Sequence, residues 1–283
     1  MMSPLQSPPE QSGLATASLA MYDFSAPLRA AHDHLWAALR GPMAEAGFAS
    51  PDGLDRSRDY HDYWLDPGLG LAQACGFPYL KLLRGKVRLV ATPIYEFALG
   101  KGKGGDRASV IVVRSADGLG SIEELRGRRF AINDRLSNSG MNLPRALFAP
   151  LARDGRFFSE IVVTGGHLAS LEAVRRNQAD SASIDSVTYG LVGRHHPDML
   201  EGLTVLALTP YGPGLPMITS LATPDDAIDA LRAGLQSVVN EPAHAGIRDN
   251  LGLSGFAVLD DGDYLALADL ERQAIDQAYP EIA

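Results

Sequence analysis

The sequence predicts an α/β fold in which strand-to-helix turns meet at one edge of a parallel sheet. Three such turns lie within residues 131–189. In the first, an apolar strand at 129–132 leads into a polar turn at 133–140, and the following helix carries leucines on one face. Because ligands of open α/β sheets bind at the carboxyl ends of the strands, the polar residues of the three turns are expected to surround one site.

The second and third turns repeat this arrangement. Residues 165–167 (Gly-Gly-His) follow a strand that ends at Val163 and precede a helix with apolar residues at helical spacing. The buried strand 181–184 then leads into Asp185 and the segment that ends at Tyr189. A helix that begins with Ser, Asn and Gly leaves backbone N–H groups unpaired, and it favours a small anion there. The first turn is therefore the predicted anion-binding element.

Three segments resemble the phosphonate and phosphite solute-binding proteins of ABC transporters, and the resemblance extends over about residues 17–282. The segments are 137–140 (Ser-Asn-Ser-Gly), 166–171 (Gly-His-Leu-Ala-Ser-Leu) and 179–185 (Ala-Asp-Ser-Ala-Ser-Ile-Asp). The resemblance implies a two-lobed α/β fold of the type 2 periplasmic-binding-protein kind. That fold has two mixed, mainly parallel sheets and two hinge crossings, and its ligand lies in the cleft.

The chain order assigns each element to a lobe. Strands are predicted at 14–21, 68–73 and 86–93, and helices at 27–46, 224–239, 242–251 and 264–279. The apolar runs 108–113 and 204–208 are consistent with the two crossings. Lobe 1 is expected to comprise residues 14–109 and 205–283, and lobe 2 residues 110–204.

Residues 1–13 are rich in Pro, Ser and Gln and contain neither a basic residue nor an apolar core. They predict a disordered tail and no signal peptide. No stretch of the sequence approaches the roughly 20 apolar residues of a membrane span. The resemblance implies the periplasm, whereas a chain that natively begins at Met1 would be cytoplasmic.

The first lobe supplies further candidates for the ligand site. Tyr22 and Asp23 follow the first strand, so they either face the cleft or act as a buried aromatic residue and a helix cap. The resemblance implies that Gln73, Cys75 and Gly76 lie on the first-lobe side of the cleft, although a lone cysteine is commonly a small buried residue. Tyr211 is a sixth candidate. It stands in a stiff turn rich in Gly and Pro and is expected to lie over the cleft.

A tetrahedral anion needs several convergent donors. Ser137, Ser139, His167 and the N–H group of Gly140 supply them, and Asn138 adds an amide donor where the family usually has a hydroxyl. That departure weakens the case for an aminoalkylphosphonate. Alternatively, neither residue binds the ligand: Ser139 only caps the helix, and His167 is only a turn residue.

Asp185 suits a cationic end of the ligand, or it orients His167 or a hydroxyl; alternatively, it only caps the next helix. A Ser139, His167 and Asp185 hydrolase is conceivable, but the sequence lacks the Gly-x-Ser-x-Gly elbow. No residue is therefore assigned a catalytic role.

Composition excludes several other classes of protein. The formal net charge of −9 and the pI near 5.2 argue against nucleic-acid and anionic-membrane partners. A single cysteine excludes an internal disulfide and a cysteine-based zinc cluster. His32 and His34 lie two apart on a helix and point to different faces, so they do not form a metal pair. No metal and no cofactor are predicted.

These observations favour a monomeric solute-binding protein that closes on a phosphonate, phosphite or phosphate-like anion for uptake by an ABC-transporter permease. Two alternatives stay open: a cytoplasmic enzyme on the same fold, of the menaquinone- or thiamine-pathway kind, and a ligand sensor.

Overall fold

The computed structural model describes residues 15–96, 99 and 102–283. The predicted disordered tail, residues 1–13, lies outside the described residues. The strands are β1 Thr16–Ser18, β2 Leu69–Gln73, β3 Val87–Tyr95, β4 Asp106–Arg107, β5 Ser109–Arg114, β6 Arg129–Ile132, β7 Glu160–Val163, β8 Ser181–Asp185, β9 Leu203–Leu208, β10 Gly212–Pro213, β11 Met217–Ser220 and β12 Leu253–Ala257.

The α-helices are α1 Ala26–Glu45, α2 Gly76–Pro78, α3 Leu143–Phe148, α4 His167–Arg175, α5 Ser186–His195, α6 Asp225–Asn240, α7 Ala245–Leu251 and α8 Asp261–Asp276. Two segments are π-helical. Tyr79–Leu83 directly follows α2, and Asn138–Asn142 directly precedes α3. Short 3-10 helices lie at Ala20–Tyr22, Tyr60–Tyr63, Ser115–Asp117, Ile122–Leu125, Ala149–Leu151, Pro197–Leu200 and Pro242–His244.

The first sheet, sheet I, has the strand order β1-β2-β11-β3-β12. Helix α1 begins at its N-cap Ser25 and presents a stripe that includes Leu28, Leu35 and Leu39. This stripe packs with Val90 of β3 and Leu231 of α6 in one apolar core. Burying each leucine fully contributes about 1.5–3 kcal/mol, so the helix is held mainly by this face.

The second sheet, sheet II, has the order β7-β6-β8-β5-β9. Strand β6 pairs in parallel with β7 on one side and with β8 on the other. The carboxyl ends of these three strands therefore lie side by side, as the sequence predicts. Strands β8, β5 and β9 pair antiparallel.

The chain crosses between the sheets at a short antiparallel ladder of β4 and β10. The apolar runs predicted as crossings lie inside sheet II instead, as β5 and β9, which pair with each other. Both sheets are mixed, as predicted, but in the described residues antiparallel pairs outnumber parallel ones. The reason is that strands adjoining the crossings enter each sheet in the opposite direction.

Apolar packing joins the two sheets. One core contains Ile218 of sheet I, Phe130 of sheet II and Leu267 of α8. In sheet II, the ring of Phe130 stacks on that of Phe158 with centroids 4.4 Å apart. No helix in the described residues is long and apolar enough to cross a membrane.

The turn after β6 approaches the next helical segment at Gly140. A Cβ atom on Gly140 would lie 1.8 Å from Oδ1 of Asn133 and 3.2 Å from its backbone nitrogen. The side chain of Asn133 would have to move, and the contact with its backbone nitrogen would remain a few tenths of an ångström too short. Glycine is therefore required at position 140 for space and not for its backbone conformation, because Gly140 does not have a positive φ angle.

We expect Gly140→Ala to lower the free energy of unfolding by about 1–3 kcal/mol, because the methyl group overpacks this contact. Denaturant unfolding at equilibrium measures the change. Gly246→Ala is the matched control, since a Cβ atom there meets nothing within 4 Å and the residue lies in α7. This control is expected to be neutral or stabilising by up to about 1 kcal/mol. Equal stability of the two variants would contradict the prediction.

Candidate ligand-binding site

A cavity of about 300 Å³ lies at the carboxyl ends of β6, β7 and β8. Each of the three predicted turns contributes to its wall: Ser137 and Ser139 from the first, His167 from the second and Asp185 from the third. The facing wall includes Tyr22, Asp23 and Cys75. Seven of the predicted site residues therefore line one cavity.

Ser139 and His167 are in direct contact. Ser139 Oγ lies 2.9 Å from His167 Nε2, and the backbone oxygen of Ser139 accepts a hydrogen bond from Ser183 Oγ at 2.6 Å. The other ring nitrogen of His167, Nδ1, has no hydrogen-bond partner in the described residues. Burial lowers the pKa of His167 more than the nearby charge of Asp185 raises it, so the imidazole is neutral at pH 7.

Asp185 connects the two walls of the cavity. Its Oδ2 accepts hydrogen bonds from the Tyr22 hydroxyl at 3.0 Å, from the Thr188 N–H at 2.9 Å and from the Thr188 hydroxyl at 3.1 Å. Asp185 is thus both the N-cap of α5 and the acceptor for a hydroxyl from the other side. Burial, followed by the charge of Asp185, raises the pKa of Tyr22, so its hydroxyl stays protonated and donates.

This geometry differs from that of a hydrolase triad. In a triad, the carboxylate accepts a hydrogen bond from the histidine that activates the serine. In the described residues, the hydrogen bonds of Asp185 come from Tyr22 and Thr188, and Nδ1 of His167 has no partner. The arrangement offers hydrogen bonds to a ligand and does not prepare Ser139 for nucleophilic attack.

Asp23 carries a neutralised charge. Its Oδ1 lies 2.8 Å from His32 Nδ1, and its Oδ2 accepts a hydrogen bond from Arg56, which also pairs with Asp33. Burial alone would raise the pKa of Asp23, but the hydrogen bonds from His32 and Arg56 lower it overall. Asp23 is not the cap of α1, because Ser25 has that role.

Part of the predicted anion-binding turn is already paired within the protein. The N–H of Gly140 donates to Ser137 Oγ at 3.0 Å, and the N–H of Asn138 donates to Cys75 Sγ at 3.3 Å. Burial raises the pKa of the Cys75 thiol, and the backbone N–H groups offset this only in part. The protein itself therefore occupies donors that the sequence assigned to a ligand.

Five predicted residues do not line the cavity. Gln73 Nε2 lies 3.4 Å from the Tyr95 hydroxyl, and a Cβ atom at Gly76 would meet Leu267 at 2.9 Å. Oδ1 of Asn138 accepts a hydrogen bond from Asn142 at 3.2 Å. The other two are Gly140, which packs on Asn133, and Tyr211, which is 47% exposed beside Gly102.

The cavity also has an aromatic wall that the sequence did not assign to the site. The 3-10 helix Tyr60–Tyr63 and its C-cap place Tyr60, His61 and Trp64 on the lining. The rings of Tyr60 and Trp64 have centroids 5.7 Å apart, and Trp64 Nε1 donates to the Gln73 carbonyl at 3.0 Å. The sequence carries no clear signal for this wall, because residues four apart, such as Tyr60 and Trp64, share one side of an α-helix but not of the 3-10 helix that forms here.

The charges on the lining are unusual for an anion site. The described lining residues include three aspartates, Asp23, Asp134 and Asp185, and neither lysine nor arginine. In the described residues, no group of three or more His, Cys, Asp or Glu side chains is arranged to hold a metal ion. Neutral donors and the carboxylates of Asp134 and Asp185 therefore dominate the site, because Asp23 is paired with His32 and Arg56.

Comparison with known proteins identifies relatives at the level of sequence profile and fold. Residues 69–264 match the profile of a family described as ABC transporter, phosphonate, periplasmic substrate-binding protein. No curated protein sequence matches the chain.

Three solved structures share the fold. PhnD1 from Prochlorococcus marinus, in complex with methylphosphonate, has a TM-score of 0.73 at 14% identity, covering 95% of this chain and 100% of that one. A binding-protein component of an ABC phosphonate transporter from Pseudomonas aeruginosa has a TM-score of 0.72 at 17% identity, covering 95% and 88%. A Xanthomonas citri protein bound to ATP has a TM-score of 0.65 at 17% identity, covering 94% and 98%.

We expect His167 to make the protein less stable as the pH falls from 7.5 to 5.5. The pKa of His167 in the folded protein lies below its unfolded value, so below about pH 6.5 the unfolded chain binds the proton more readily. The loss from this residue is at most about 1.4 kcal/mol at pH 5.5. Denaturant unfolding of the wild type and of His167→Gln at both pH values measures it. An equal loss in both proteins would show that His167 is not responsible.

Proposed function

This chain belongs to the periplasmic phosphonate-binding proteins of ABC transporters, and we propose that its cavity binds a phosphonate, a phosphite or a related anion through Ser137, Ser139 and His167. The family consists of substrate-binding proteins and not of enzymes. Its members bind a small ligand and deliver it to a transporter permease. For this chain, the proposal extends to capture of the ligand in the periplasm by a monomer.

The contact between Ser139 and His167 carries the proposal. A tetrahedral oxyanion accepts hydrogen bonds from several directions, and hydroxyl and imidazole groups at the ends of β6 and β7 converge in this way. Nδ1 of His167 is buried, so in this proposal the imidazole meets the ligand through Nε2, the atom that contacts Ser139. An anion that accepts from Ser137 and Ser139 would replace the weak contact of 3.4 Å between their hydroxyl oxygens.

Asp185 is proposed to select the rest of the ligand. Two like unit charges 4 Å apart repel each other by about 4 kcal/mol at an effective dielectric constant of 20. Because the described lining contains neither lysine nor arginine, a phosphonate beside Asp185 gains from a cationic group of its own. This argument supports an organic phosphonate over inorganic phosphate.

The two sheets are proposed to act as lobes that close on the ligand. The lobe boundaries expected from the sequence, at residues 109/110 and 204/205, are moved in this proposal to β4 and β10, because β5 and β9 belong entirely to sheet II. The short ladder of β4 and β10 is the proposed hinge, since the chain passes between the sheets there. The hydrogen bond from Tyr22 to Asp185 spans the proposed lobes, and it would break if they opened.

We expect phosphonates to raise the melting temperature, and Ser139→Ala combined with Asp185→Ala to abolish that increase. Ligand at 100 times its Kd stabilises the folded state by about 2.7 kcal/mol, which a thermal-shift assay with phosphonates, phosphite, phosphate and sulfate detects. Ser139→Ala alone removes one donor, and the stabilisation at the same ligand concentration is expected to fall below about 1 kcal/mol.

Ser25→Ala is the matched control, because this serine caps α1 and does not line the cavity. The control is expected to lower stability without changing the ligand-induced shift. Asp185→Asn replaces Asp185→Ala if loss of the α5 cap prevents folding. An unchanged shift in the double variant would remove both residues from the site.

A further inference from the structure

The cavity contains more space than a small tetrahedral anion fills. Its volume of about 300 Å³ corresponds to roughly ten water molecules at about 30 Å³ each. Methylphosphonate has about half that number of non-hydrogen atoms. The extra volume is not the result of separated walls, because Tyr22 and Asp185 are hydrogen-bonded across the cavity at 3.0 Å and Cys75 accepts a hydrogen bond from Asn138 at 3.3 Å.

Apolar and aromatic side chains form much of the cavity lining. Tyr60 and Trp64 form one side, and Leu168, the residue after His167, contributes from α4. Further apolar contacts come from Met21, Phe24 and Leu215. Water in such a region finds few hydrogen-bond partners, so an apolar group of the ligand that displaces it gains affinity.

The aromatic wall is preorganised. Trp64 is 3% exposed and is fixed by its hydrogen bond to the Gln73 carbonyl. Asp59 caps the 3-10 helix by accepting from the His61 N–H at 3.0 Å, and the ring of His61 stacks beside that of Tyr60 at 4.1 Å. A ring already held in place loses little conformational freedom when a ligand packs against it.

From these observations we propose that the ligand is an organophosphonate whose substituent contains, besides the cationic group that Asp185 is proposed to select, a flat, apolar ring that packs against Tyr60, Trp64 and Leu168. The proposal rests on the function proposed above, because it assumes that the phosphonate group lies at Ser137 and Ser139. Tyr60 and Leu168 then determine specificity for the ring, whereas the serines and His167 recognise the anion.

Isothermal titration with phenylphosphonate and methylphosphonate tests this proposal. Phenylphosphonate is expected to bind the wild type at least about tenfold more tightly, since the ring buries additional apolar surface. Tyr60→Ala is expected to lower the affinity for phenylphosphonate about tenfold and the affinity for methylphosphonate less than about twofold. Tyr60→Phe keeps the ring, and it is expected to bind both ligands as the wild type does.

Two further variants complete the design. Tyr211→Ala removes an exposed tyrosine that does not line the cavity, and it is expected to leave both affinities unchanged. Ser139→Ala is expected to lower the affinity for both ligands equally, because it removes a hydrogen bond to the phosphonate group that they share.

The outcomes separate this proposal from the one on which it rests. If methylphosphonate binds as tightly as phenylphosphonate and Ser139→Ala weakens it, the ring proposal is overturned and the phosphonate site stands. If Tyr60→Phe loses as much affinity as Tyr60→Ala, the tyrosine acts through its hydroxyl, which also overturns the ring proposal. If neither phosphonate binds, both proposals fall.

Discussion

Parallel pairing of β6 with β7 on one side and with β8 on the other places three strand ends side by side. Each parallel strand requires a helix to return the chain, so each of these ends continues directly into a turn and a helix. Ser139, His167 and Asp185 occupy these turns and line one cavity for that reason. A different order of strands in sheet II would separate the same residues along that edge.

The cavity relies on neutral donors in place of a basic side chain. The imidazole of His167 is neutral because burial lowers its pKa, and the described lining has neither lysine nor arginine. Neutral hydrogen bonds are individually modest in water but strengthen in a partly buried site. Arg56 neutralises Asp23 from outside the lining, which leaves the carboxylates of Asp134 and Asp185 on the described lining.

The walls of the cavity come from distant parts of the chain, and hydrogen bonds join one wall to the other. The hydroxyl of Tyr22 satisfies Asp185, and the sulfur of Cys75 accepts the N–H of Asn138. These bonds satisfy buried polar groups that would otherwise need water or ligand. A buried polar group left without a hydrogen bond costs about 1–3 kcal/mol of stability.

The sequence alone determined the α/β class, the three turns and the family, because hydrophobic period and turn residues are local properties of the chain. It did not determine which side chains face the cavity. Gly140 was assigned to the anion, yet packing on Asn133 decides its role, and the ring of Tyr60 lines the cavity without any local motif. Antiparallel pairing of β5 and β9 was likewise not visible. Such features depend on contacts between residues far apart in the chain, and only the tertiary structure sets those distances.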